Sequence, residues 1–263
     1  MTCLGCGDSK SPVQATPVPP APAPGPVSVA GQVNDTALRP LADVRVEVVD
    51  GPSAGVFATT NTVGHYELPG VISEPAKFRA TKEGYAPFTT TPSPRCCQTF
   101  IYIVLALSTP SVNLAGDYTL TLTADTACSG LPDAVRARTY TVSMTSMPNT
   151  PENYRAVLSG ATFFSSEAGQ FFVDVAGTYA HFRFGDPYED VFIIIEEVAP
   201  STYLGIWGSA GLTVDGGTTI SGSFDGGFAY CFPPNRAIVN YQCPVGQPVN
   251  CSSTNQRMLL VRR

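Results

Sequence analysis

Eight cysteines, two histidines and a few paired acids are the residues of this 263-residue chain whose types and spacing offer chemistry. Cys3 and Cys6 have the C-x-x-C spacing of a redox dithiol or half a zinc site. No second C-x-x-C follows and no βαβ pattern surrounds the pair, so neither use is expected. Cys96, Cys97, Cys128, Cys231, Cys243 and Cys251 remain, an even number that favours disulfides in an exported chain. We expect Cys243 and Cys251 to close a local loop and Cys128 to meet Cys231. The adjacent Cys96 and Cys97 form a strained vicinal bridge or pair elsewhere. Zinc is disfavoured, because the ligand spacings are wrong and both histidines sit elsewhere.

Catalytic constellations are scarce. Gly208-Ser-Ala-Gly211 lacks the first glycine of a nucleophile elbow. None of Lys10, Lys77 and Lys82 follows a phosphate-cradling glycine run. His65-Tyr66-Glu67 lacks the spacing of a zinc peptidase, and His181 lies in an alternating strand. Both histidines read as turn or strand residues. Asp186, Glu189 and Asp190 could supply oxygen ligands to calcium, although a solvated turn is the ordinary outcome. Glu196-Glu197 follows the apolar run Val191–Ile195, so alternation sends one carboxylate to each side of a strand. The inward one needs a partner, such as Arg183, or a place at a barrel mouth. These features argue against an enzyme, with no metal and no cofactor expected.

The elements that must position these residues are strands. Apolar residues make up 43 % of the chain and charged ones only 14 %, with 24 glycines and 24 prolines, a mixture that suits short strands and tight turns. The net charge of −6 excludes the usual nucleic-acid binder. Residues 7–26 are rich in proline and cannot build a core. As extended polyproline they would reach on the order of 60 Å. Residues 27–107 form a first unit, in which Val44, Val46 and Val48 alternate with Arg45 and Glu47. Its last strand, Thr99–Leu107, is apolar on both faces. It is too short to span a membrane as a helix and is expected between layers or beside the second unit. Residues 115–263 hold up to ten strands, with hairpin signals at Asp215-Gly-Gly217 and Asp225-Gly-Gly227. An antiparallel up-and-down β-barrel is expected there, with a β-sandwich as the alternative.

Three resemblances follow from particular residues. Gly31-Gln-Val33, Pro40–Val46, Ala58–Leu68 with its Gly64 turn, and Glu83-Gly-Tyr85 resemble the carboxypeptidase regulatory-like domain. That family implies a transthyretin-like, carbohydrate-binding-like β-sandwich that accompanies peptidases without their zinc chemistry. Leu4-Gly5-Cys6 resembles the end of a bacterial lipoprotein signal, which implies lipidation at Cys6 and residues 1–6 as a signal remnant. Gly116-Asp-Tyr118 is similar to the first strand of a lipocalin barrel. The expectation is an exported, all-β cell-envelope protein, membrane-anchored through lipid, that binds a glycan without catalysis. Tyr85 and Tyr66 are its sugar-stacking candidates, with core packing the stronger reading of Tyr66. A lipocalin-like carrier of an apolar small molecule is the alternative, with Trp207, Phe224 and Glu196 as barrel ligand residues. A structural or adhesion scaffold is the third reading.

Overall fold

The computed structural model describes residues 28–70, 72, 76–91, 98–185, 194–214, 217–231 and 249–263. The expectations for Cys6, the proline-rich run, Cys96, Cys97 and the Asp186–Asp190 acids lie outside these residues. The architecture is all-β, a sandwich followed by a barrel.

Seven strands build the sandwich: β1 (Ser28–Asp35), β2 (Arg45–Val48), β3 (Phe57–Thr59), β4 (His65–Glu67), β5 (Phe78–Thr81), β6 (Phe88–Thr90) and β7 (Gln98–Leu105). One sheet has the order β4-β1-β7 and the other β3-β2-β5-β6. Only β1 and β7 run parallel; the other pairs are antiparallel. Alternation decides which residues meet in the core. Val46 and Val48 turn inward while Arg45 and Glu47 pair on the outside. Val29, Val33, Val44, Tyr66, Leu68, Phe78, Ile101, Ile103 and Leu105 belong to the same buried cluster. Gly31 faces the same core, where a Cβ would stand 2.1 Å from the Ile101 carbonyl and 2.6 Å from the Tyr66 hydroxyl. Only glycine lets Tyr66 lie across the sheet at that point.

The second unit contains β8 (Gly116–Thr123), β9 (Ala137–Met147), β10 (Thr150–Ser159), β11 (Gln170–Ala176), β12 (Tyr179–Arg183), β13 (Ile194–Ala199), β14 (Thr202–Thr213), β15 (Thr219–Cys231) and β16 (Val249–Arg262). Eight of them close an antiparallel barrel in the order β8-β9-β10-β11-β12-β14-β15-β16, with β16 returning to β8. Strand β14 is long enough to pair with β12 through its second half and with β13 through its first. The meander therefore holds with one excursion, and closure pairs both sides of the eight barrel strands while β13 stands at the end of the sheet.

Two details depart from expectation. Asp225-Gly226 makes no hairpin, because β15 runs straight through it and the register to β16 shifts between Phe224 and Gly226. The shift is a β-bulge. The backbone passes so close there that a Cβ on Gly208, whose φ is +134°, would sit 2.2 Å from the Asp225 carbonyl. The disulfide also differs. Cys128 joins Cys251, at a Cα separation of 5.5 Å, so neither the expected Cys128–Cys231 bridge nor the expected Cys243–Cys251 loop forms. Cys251 faces the interior opposite Phe228, whereas Cys231 lies opposite Tyr203 on the outside. Cys231 is itself disulfide-bonded.

The bridge spans 123 residues and ties the loop after β8 to the start of the closing strand. Long loops give a cross-link its greatest effect on the unfolded chain. Replacing both Cys128 and Cys251 by alanine should cost about 2–5 kcal/mol in urea denaturation. Mass spectrometry of unreduced peptides checks the pairing directly.

Candidate functional site

The clearest surface feature arises from β7. Its aliphatic residues Ile101, Ile103 and Leu105 enter the sandwich core, so the pleat turns Phe100, Tyr102 and Val104 to the other face. That face is open: Phe100 is 46 % exposed, Tyr102 72 % and Val104 46 %. The expected burial of this run on both sides is thus corrected. Only one face is covered. The Phe100 and Tyr102 rings lie 4.8 Å apart at an interplanar angle of 56°. The imidazole of His65, from β4, reaches within 6.4 Å of the Phe100 ring across the intervening strand β1.

Register fills in the polar surroundings. Gln32 on β1 stands between His65 on β4 and Tyr102 on β7, while Ala30 stands between Glu67 and Phe100. Gln32 Nε2 donates to the Asn34 side chain at 3.3 Å, so two amides are held beside the rings. Exposed rings bordered by amides, an imidazole and a carboxylate make a surface that stacks on apolar C–H faces and hydrogen-bonds hydroxyls. Composition alone hides this face. The separation of aliphatic from aromatic residues along Phe100–Leu105 is the signal that reveals it.

The anticipated sugar-stacking tyrosines lie elsewhere. Tyr66 is buried in the core, with a hydroxyl that has no hydrogen-bond partner among the described residues. Burial pushes its phenol far above the usual range. Tyr85 is half-buried, forms a β-bridge with Leu107 and packs on the core. Burial also raises its phenol, helped by the Asp35 carboxylate and opposed by Arg39.

The three barrel candidates do not converge. Phe224 lies in the interior, where Phe171, Phe184, Phe224 and Phe228 touch in sequence at centroid separations of 5.1, 5.3 and 6.2 Å. Trp207 faces outward because Leu204 and Ile206 take the inward positions of β14, and it packs against Ile195 and Ala168. Glu196 points inward near one end. Its carboxylate accepts from Arg138 Nε at 2.8 Å, from Arg138 Nη2 and from the Tyr140 hydroxyl at 3.0 Å. Arg183, the partner expected from sequence, instead holds Asp174 at 2.6 Å on the outside. The bond to Glu196 raises the Arg138 pKa, and burial followed by the Glu196 charge raises that of Tyr140. Leu131 and, from a short 3-10 turn, Val135 fill the same end, and Leu114 enters the opposite one.

A buried ion pair is worth little against an apolar replacement, whereas a half-removed pair leaves a charge stranded. Glu196→Gln should therefore destabilise the fold by about 3 kcal/mol. The double variant Arg138→Met/Glu196→Leu should recover most of that loss. Denaturation curves of the three proteins measure both effects.

The sandwich docks on the outer face of the β11–β12 hairpin. Thr36 Oγ1 donates to the Val175 carbonyl at 2.6 Å, and the Arg39 guanidinium lies 4.3 Å from the centre of the Tyr179 ring. Arg39 also pairs with buried Asp35 at 2.7 Å. His181 sits opposite Asp174 on this hairpin. Burial lowers its pKa below the ordinary 6.5, against the pull of the Asp174 and Asp35 carboxylates and with the aid of Arg183.

The unfolded chain thus takes up its proton near 6.5, while the folded chain resists until lower pH. Stability at neutral pH is unaffected by this group and falls as the pH drops below about 6.5. Urea midpoints measured from pH 7.5 to 5 should show that decline, and His181→Asn should flatten it.

The sequence matches no family model, and no curated protein matches it. Among solved structures, it is similar to a chain of a type II cohesin–X-dockerin complex from Acetivibrio cellulolyticus, described as a C-terminal interface mutant. The identity is 18 % and the TM-score 0.27, over 33 % of this chain and 61 % of that one. Likeness at that level carries no argument about function.

Proposed function

We propose that this is a non-catalytic, exported cell-envelope protein that binds glycans through the outer face of the β4-β1-β7 sheet. The observation that carries the reading is the pair Phe100 and Tyr102, exposed side by side next to Gln32, Asn34, His65 and Glu67. Water gains nothing from two adjacent rings, whereas a pyranose presents an apolar C–H face to them and hydroxyls to the amides. The carboxypeptidase regulatory-like resemblance supports a sandwich of this kind, and Leu4-Gly5-Cys6 supports a lipid anchor and spacer that would hold it off the membrane. The carrier reading has less support. Aromatic rings occupy the barrel interior in sequence, and chain segments enter both ends.

Calorimetric titration with a panel of oligosaccharides tests the proposal. Tyr102→Ala should weaken binding at least fivefold, since an aromatic contact contributes about 1 kcal/mol beyond buried area. Tyr85→Ala should leave affinity unchanged. A saturable response to an apolar probe such as a fluorescent fatty acid, with silence toward every sugar, would return the carrier reading to first place.

A further inference from the structure

Resting on the glycan reading, we infer that this face takes one pyranose ring at a time, on Tyr102, and that it does not adhere to the flat surface of a crystalline polysaccharide. A platform for a crystal needs rings that share a plane. Phe100 and Tyr102 instead meet at 56° with centroids 4.8 Å apart, and His65 is tilted 38° from Phe100. Three rings arranged as a fan present no common plane. A rigid polymer sheet can touch only the outermost of them.

Tyr102 is the more exposed of the two β7 rings, at 72 % against 46 % for Phe100. Phe100 buttresses it from the side, and buried Ala30 keeps the floor low between Phe100 and Glu67. Gln32 lies beside Tyr102 in the parallel register, with His65 beyond it. A single sugar stacked on Tyr102 therefore meets the Gln32 amide at its edge. The ring chemistry that suits the site is a pyranose with equatorial hydroxyls, whose axial hydrogens form a flat apolar face. Phe100 acts through Tyr102 and is a positioning residue.

The test titrates the full chain with methyl β-glucoside and with β-1,4-linked glucose oligomers of increasing length, and adds a depletion assay on crystalline cellulose. Affinity should level off by the second sugar, with longer oligomers within about threefold. Tyr102→Ala should lose at least fivefold and Phe100→Leu no more than about threefold, and crystalline cellulose should deplete neither the unsubstituted protein nor the two variants. Both positions are exposed, so circular dichroism should show unchanged folding. Affinity that climbs with every added sugar, equal losses from the two substitutions, or depletion by crystalline cellulose would overturn the single-ring site while leaving glycan binding in place. No response to any saccharide, or Tyr102-dependent self-association in sedimentation, would overturn the glycan reading and this inference together.

Discussion

Strand alternation is the constraint from which the surface of this protein follows. The sandwich core needs Ile101, Ile103 and Leu105 from β7, because β1 supplies only Val29 and Val33 beside a glycine in the middle of the same sheet. Once those aliphatics are committed inward, the two-residue period leaves Phe100, Tyr102 and Val104 no inward position. A one-residue slip would bury the aromatics and expose the aliphatics. The space above Gly31 is already taken by Tyr66, and that ring leaves little room for further aromatic side chains on the inner face. The exposed rings are thus a consequence of how tightly the inner face is filled.

The same rule reads differently in the barrel. There Leu204 and Ile206 claim the interior of β14, which sends Tyr203 and Trp207 outside to a smaller cluster with Ile195 and Ala168. The interior is occupied by Phe171, Phe184, Phe224 and Phe228 together with aliphatics from every closing strand. Among the described residues, the polar groups that enter it have partners. Glu196 is held by Arg138 and Tyr140, and buried Gln256 accepts from the Asp125 amide at 2.7 Å. Each of these sits where a chain segment enters the barrel end, so the polar contacts fasten the plugs.

Much of this was legible in the residues. The all-β class, the sandwich before the barrel and the antiparallel meander follow from periodicity and turn chemistry. What escaped has definite physical causes. Period-two alternation separates two faces without naming the buried one, so the Thr99–Leu107 run, apolar on both, read as wholly buried. Asp225-Gly226 carries the chemistry of both a hairpin and a bulge, and only the length of β16 decides between them. Disulfide pairing and the Glu196 partner depend on which strands close the barrel. Cys128 and Cys251 are 123 residues apart in sequence, and Arg138 and Glu196 are 58. Local spacing carries no record of such distances.

Strand β1 links the proposed site to the rest of the molecule. Gln32 and Asn34 lie on the face that carries the rings, and Asp35, the next residue, turns to the other side. Asp35 is fully buried and accepts from the amides of Ala37 and Arg39 at 2.9 Å, which shapes the turn that docks on the barrel. From Gln32 to Asp35 the strand advances only about 10 Å. A carboxylate held by three donors is a stiff anchor, and a strand paired on both edges transmits that stiffness along its length. The proposed binding face therefore has a fixed base: a closed barrel holds the turn, the turn holds β1, and β1 sets the spacing between His65 and Tyr102. Preorganisation of this kind lowers the entropy lost on binding, which matters most where a ligand offers a single ring and few contacts.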